Sequence, residues 1–412
     1  MSDVAALAWP FTYLFLVPAL GLGGCSGGGD EGEGDQAPRA SAGAPSSGGA
    51  AGSPGTNPWA GSGGLGGSAG GSGPPAGSGG GGSTGGGGAS SGSGGGSFTC
   101  FAEPACNAAP PLPGPERPWQ HTSSSITATL GQRHRGRDLF LNPGDPVWAM
   151  AKIAYGPNDK DLHDEDVDVY LARDCGATWQ KLGTARTTDD GEHETVEGVV
   201  DTGGWVFFPV PASLGLGEGR HRFHFVVGGD LSTTESFVEI VKPGTPVIIS
   251  DVDGTLTTSE FEEFGDLLTG DLPDANEGGA ALVSTWAARG YRRFYLTARP
   301  EWLGARTREF LRRREFPEGI VHTTLSFTGA LESAATAFKT GELAQLASKG
   351  LVPTFALGNT KTDAEAYSNA GIAPLSHRIF LQFTDSIFGG RRVESYTELL
   401  GEAAALPDRC PE

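Results

Sequence analysis

The sequence predicts an α/β fold built on a parallel sheet, preceded by an all-β sandwich and a disordered Gly/Ser-rich linker. Three observations predict it. Residues 247–252 form an apolar run, rich in β-branched side chains and too short for a helix, that ends in two carboxylates, Asp251 and Asp253. Further runs follow near 294–298, 324–327, 354–358 and 378–383, with a helical stretch at 278–289, which is the alternation of a Rossmann-like parallel sheet. Upstream, six short runs between residues 146 and 241 alternate or stay apolar between turn residues, as in an immunoglobulin-like sandwich.

Residues 1–25 hold an apolar stretch (4–24) ending in Leu22, Gly23 and Gly24 before Cys25, and resemble a signal peptide with a lipobox. Lipidation of Cys25 would make this an exported, membrane-anchored lipoprotein; the alternative is an uncleaved anchor. Residues 26–99 are almost wholly Gly, Ser, Ala and Pro and cannot build a core. As a flexible coil of about 70 residues this tether has a root-mean-square span of roughly 45–50 Å. A Cys/Pro-rich segment (100–119), the sandwich (120–243) and the α/β domain (244–405) complete the chain.

There are five cysteines. Setting Cys25 aside leaves Cys100, Cys106, Cys175 and Cys410. Cys100 and Cys106 flank a short loop and could pair, leaving Cys175 for Cys410; all three pairings are open. The net charge of -20 argues against a nucleic-acid partner. The acidic loop holding Asp159, Asp161, Asp164, Glu165, Asp166 and Asp168 lacks the spacing of a calcium loop and reads as a solvated segment. The segment around Asp174 is like an Asp-box turn but occurs once, so it reads as a hairpin turn.

The chemistry gathers where the strands of the α/β domain end. Open α/β sheets bind ligands at the C-terminal ends of their strands. Gly254 permits a sharp turn, so Asp251 and Asp253 can reach one site, where two close carboxylates invite a cation. A second strand ends at Thr297, followed by Arg299. A third ends in Gly358 and Asn359, with Asp363 four residues on.

The D-x-D-G-T segment resembles the first motif of the haloacid-dehalogenase-like hydrolases. That resemblance implies a nucleophile at Asp251 and a general acid and base at Asp253. It implies phosphate contacts from Gly254, Thr255, Thr297 and Arg299, and a charge-neutralising Lys339. It also implies Mg²⁺ held by Asp251, by the backbone carbonyl of Asp253 and by Asp363, with Asn359 holding a metal-bound water or the ligand shell. Together with the segments around Thr297 and from Gly358 to Tyr367, residues 245–400 look like the lipin-type phosphatase domain. That domain also closes membrane-associated phosphatidylinositol-transfer proteins. The expectation is a Mg²⁺-dependent phosphomonoester hydrolase acting on a phosphatidate-like membrane lipid. No cap domain fits between the motifs, so the site is open, and the basic run Arg306, Arg308, Arg312, Arg313 and Arg314 either meets an anionic bilayer or is a solvated helix face. The alternatives are a phosphatidate-binding module without turnover and an exported phosphatase for soluble esters.

Overall fold

A computed structural model describes residues 105–259, 272–385 and 388–409; the leader with Cys25, the Gly/Ser-rich linker, Cys100 and Cys410 lie outside the described residues. After helix α1 (Thr122–Ala128) come ten strands: β1 (Arg135–Arg137), β2 (Leu139–Leu141), β3 (Trp148–Lys152), β4 (Ala154–Tyr155), β5 (Lys160–Asp161), β6 (Asp166–Ala172), β7 (Trp179–Arg186), β8 (Trp205–Pro209), β9 (Gly219–Val227) and β10 (Thr233–Ile240). One sheet has the order β1-β3-β8 and the other β2-β10-β9-β6-β7, while β4 and β5 pair separately. Alternating side chains such as Val167, Val169 and Leu171 of β6 and Phe223 and Phe225 of β9 enter one apolar core with Met150 and Trp205.

The segment at Asp174 and Cys175 joins antiparallel β6 and β7, with both residues at positive φ. Cys175 forms a disulfide with Cys106, which replaces the Cys100–Cys106 pairing considered from spacing alone. Chain distance did not decide this pairing, because folding brings together cysteines 69 residues apart.

The second domain continues with β11 (Pro246–Ser250), α2 (Gly279–Ala288), β12 (Arg292–Leu296), α3 (Gly304–Arg313), β13 (Ile320–His322), α4 (Glu332–Ser348), β14 (Val352–Gly358), α5 (Lys361–Asn369), β15 (Arg378–Leu381), β16 (Arg391–Val393) and α6 (Leu400–Ala405). Its six strands are all parallel, in the order β13-β12-β11-β14-β15-β16. Burial on both faces explains the unbroken apolar runs. Ile248 of β11 packs with Trp286 and Phe355 in one cluster, while Val247 and Ile249 pack with Leu343 and Tyr367 in another. The strand order reverses between β11 and β14, so the switch point lies beside Asp251 and Asn359.

The predicted strand at 324–327 is a loop, with the strand itself four residues earlier in β13. Leu325 and Phe327 are exposed there, and the Thr324 N–H and hydroxyl both bond the Arg299 carbonyl rather than a neighbouring strand. Strand β1 was also missed, since Arg-Gly-Arg carries no apolar signal. Acids from the other domain help to bury its arginines: Arg135 Nη2 donates to Glu301 (2.8 Å) and Arg137 Nη2 to Glu342 (2.8 Å). The two domains share an apolar cluster as well, in which Phe140 and Phe237 meet Phe294 and Ile320.

Candidate active site

Strand β11 stops at Ser250, and the Asp251 N–H still bonds the Leu357 carbonyl of β14, which fixes Asp251 at the switch point. The following turn needs Gly254, whose φ is +65°. Asn276 then ties the turn down, donating from Nδ2 to the carbonyls of Gly254, Thr255 and Thr257. Tyr396 adds a hydrogen bond from its hydroxyl to the Thr255 carbonyl (3.0 Å). Sequence reasoning missed Asn276 and Tyr396, since isolated side chains far along the chain carry no motif.

Asp251 is buried, and its two oxygens have separate partners. Oδ1 accepts from Lys339 Nζ (2.7 Å) and Oδ2 from the Thr255 hydroxyl (3.1 Å). Burial pushes the Asp251 carboxyl up to about 7; Lys339 opposes that rise, and Asp363 and Asp253 add to it. Burial lowers the Lys339 ammonium, but Asp251 and Asp363 outweigh it and hold the group above its ordinary value. Lys339 comes from α4 and reaches both carboxylates at once.

Asp363 is completely buried and has a task of its own. Oδ2 accepts from the N–H groups of Asn359 and Thr360 (3.1 Å each) and from the Thr360 hydroxyl (2.8 Å), forming the capping box of α5. Oδ1 accepts from Lys339. Three of these donors converge on Oδ2, while Oδ1 takes the Lys339 ammonium. Gly358 is required beside it, because a Cβ there would lie 2.5 Å from that of Asp363.

Thr297 and Arg299 both turn onto Asp253. The Thr297 hydroxyl donates to Oδ2 (2.9 Å), Arg299 Nε reaches both oxygens (2.9 Å each), and Nη2 reaches Oδ1 (2.6 Å). Arg299 Nη1 is anchored in turn on the Thr307 hydroxyl (3.0 Å). The Gly254 N–H bonds Thr257 (2.9 Å).

The Thr255 hydroxyl lies between two oxygens, 3.1 Å from Asp251 Oδ2 and 2.8 Å from Asn359 Oδ1. Both are hard oxygen donors, the type of ligand a magnesium ion takes. The Asp253 carboxylate is held by Arg299 and Thr297, and that of Asp363 by Lys339 and the cap of α5. Among the described residues, one group of three acidic or histidine side chains brings its ligand atoms within 4.8 Å: Asp161, His163 and Asp190 of the sandwich. The neighbouring acidic loop is spent on ion pairs, Asp159 with Arg135, Asp164 with Arg186 and Asp168 with Arg117 and Lys181. The basic run on α3 is divided too: Arg308 pairs with Asp138 of the sandwich, Arg313 with Glu309 and Arg314 with Asp274.

Two family models match the chain. Residues 248–381 match the LNS2 domain of PITM 1-3, and residues 132–240 match the β-sandwich domain of PITM 1-3. The Drosophila melanogaster protein retinal degeneration B is 28% identical over 299 residues, 71% of this chain and 21% of the relative. Human membrane-associated phosphatidylinositol transfer protein 1 is 27% identical over 263 residues, 63% of this chain and 19% of the relative. The chain therefore spans about a fifth of the length of these relatives. A class C acid phosphatase from Bacillus anthracis aligns over 30% of this chain and 54% of its own at 14% identity, with a TM-score of 0.23, too low to carry an argument.

This kinship corrects the expectation of an exported lipoprotein with a signal peptide. Relatives of this chain are membrane-associated phosphatidylinositol transfer proteins by name. Among the described residues, which do not include the leader, no helix is long and apolar enough to cross a membrane. Residues 132–381 thus pair a β-sandwich with a lipin-type LNS2 domain of the haloacid-dehalogenase-like superfamily, as found in the membrane-associated phosphatidylinositol transfer proteins.

Proposed function

We propose that this chain hydrolyses a phosphomonoester, with a phosphatidate-like lipid as substrate. The observation that carries the reading is Asp251: a buried carboxylate at the switch point, gripped by Lys339 and Thr255, with Asp253 two residues on. An oxygen of Asp251 attacks phosphorus, the ester P–O bond breaks, and Asp253 gives the leaving oxygen its proton. Asp253 then takes a proton from water, whose oxygen attacks the aspartyl-phosphate and frees inorganic phosphate and Asp251. Lys339 balances charge on Asp251 throughout, and Thr255 orients it. Mg²⁺, held by Asp251 and Asn359, would neutralise the approaching phosphate dianion.

A second reading, binding of the same lipid without turnover, is favoured by one observation. Asp253 already accepts three hydrogen bonds from Arg299 and one from Thr297, and must leave Arg299 to reach a leaving group. The names of the relatives, as lipid transfer proteins, fit it as well.

The test measures phosphate release from phosphatidate vesicles and from soluble phosphate esters, with and without chelator, for the wild type and Asp251→Asn. The hydrolase reading expects chelator-sensitive release from vesicles that Asp251→Asn abolishes. Release from soluble esters alone would remove the lipid assignment. Vesicle binding with no release, unchanged in Asp251→Asn, would replace the hydrolase with the binding module.

A further inference from the structure

A cleft of about 510 Å³ lies between β1 of the sandwich and the start of α3 in the LNS2 domain. Each domain supplies one wall, so the cleft exists only because the two are packed together. Six arginines line it: Arg133, Arg135, Arg137, Arg306, Arg308 and Arg312. That concentration runs against the chain's net charge of -20. The three glutamates in the lining are already engaged: Glu301 by Arg135, Glu309 by Arg313 and Glu235 by Arg222. Arg135, Arg137 and Arg308 are likewise held by carboxylates.

Two cations remain in surplus. Arg133 stacks over the Trp302 ring, its guanidinium carbon 4.3 Å from the ring centre, and its Nη1 is buried with no hydrogen-bond partner. Arg312 is exposed on α3 and makes no ion pair with any of the described residues. The Nε atoms of Arg135 and Arg137, on side chains only 5% and 6% exposed, are also buried without partners. Buried N–H donors without acceptors are rare, and guanidinium groups so arranged match the oxygens of a phosphate. The rim is apolar: Leu325 lines the cleft and is 38% exposed, and Phe327, whose carbonyl receives the Trp302 indole N–H, is 48% exposed.

We propose that this interdomain cleft is a second anion site that takes a phosphate group, separate from the one around Asp251, with Arg133 and Arg312 supplying the free charge. The volume admits a phosphorylated polar headgroup. The site does not depend on whether Asp251 turns over a substrate.

Inorganic pyrophosphate titrated calorimetrically into the full chain tests it. Losing one charge-assisted hydrogen bond to a phosphate weakens binding roughly tenfold or more. The expected result is therefore at least about tenfold weaker binding in Arg133→Ala and in Arg312→Glu, and unchanged binding in the control Arg392→Ala. Arg312 is exposed, so Arg312→Glu keeps the test decisive if Arg133→Ala fails to fold. Equal affinity in all variants, or no binding by the wild type, overturns the proposal. Flotation with phosphatidate-containing against pure phosphatidylcholine vesicles separates the sources. Flotation lost with Arg312→Glu identifies a lipid headgroup, whereas retained flotation with weakened pyrophosphate binding identifies a soluble phosphate ester.

Discussion

Arg299 grips Asp253 through both carboxylate oxygens, with Nε at 2.9 Å from each and Nη2 at 2.6 Å from Oδ1. The guanidinium is itself fixed by Thr307 at the first turns of α3, so the position of Asp253 is set by a helix that follows a different strand. In the hydrolase reading, Arg299→Ala lowers kcat by roughly 100-fold through misplacement of Asp253, with little change in KM. Asp253→Asn lowers it by roughly 10²–10⁴ through loss of the acid itself. Steady-state kinetics of both variants check this, and a faster Arg299→Ala enzyme would show that the arginine restrains Asp253 rather than positions it.

Lys339 bridges two buried carboxylates, Asp251 and Asp363. Lys339→Met leaves both uncompensated and costs about 3–5 kcal/mol of stability at neutral pH. Adding Asp251→Asn to that variant restores part of the loss, because one of the two stranded charges is gone. Urea unfolding of the single and double variants measures it; strictly additive losses would show that the three side chains are not coupled.

Across the domain boundary, Glu342 accepts from Arg137 and also meets His322 Nδ1 at 2.6 Å. Glu342 lies three residues after Lys339 on α4, so the sandwich holds the helix that carries Lys339. Burial would raise the Glu342 carboxyl, but Arg137 and His322 outweigh it and hold it below its ordinary value of 4.5. A carboxyl depressed on folding stabilises above its unfolded pKa and loses that contribution as the pH falls. Arg137→Ala therefore costs about 3 kcal/mol near neutral pH, and the deficit narrows below about pH 4.5. Calorimetry across that range tests it, and a deficit that ignores pH refutes the pairing.

His134 sits in the sandwich with Nδ1 accepting from the Ala154 N–H (3.2 Å) and Nε2 facing the Ser232 hydroxyl (2.7 Å). Burial holds its pKa down to about 4 from 6.5, against a smaller upward pull from Asp230. Between those values the unfolded chain binds a proton that the folded one refuses, so stability falls as pH is lowered from 6.5 to 4. The loss amounts to about 3 kcal/mol. His134→Gln flattens that part of the stability profile; an unchanged slope would assign the effect elsewhere.

The reach of the sequence is visible residue by residue. Asp251, Thr297 and Asn359 were legible because each ends an apolar strand, and parallel-sheet topology brings such ends together. Lys339 followed from the family resemblance, and α4 does deliver it to Asp251. Asp363, expected on a metal, also has a structural task that no motif announced: it accepts from Lys339 and caps α5. Its neighbour Asn359 faces Thr255 instead. Strand β1 left no signal, since two of the acids that bury its arginines, Glu301 and Glu342, lie 166 and 205 residues away.

The amino-acid order by itself determined which side chains stand at strand ends, because local periodicity and turn chemistry are properties of neighbouring residues. Only the tertiary structure decided who pairs with whom: Arg299 with Asp253, Cys106 with Cys175, and Arg137 with Glu342. The reason is physical. A buried charge or thiol takes whichever partner the packed domains bring within reach, and that depends on contacts between segments distant in the chain.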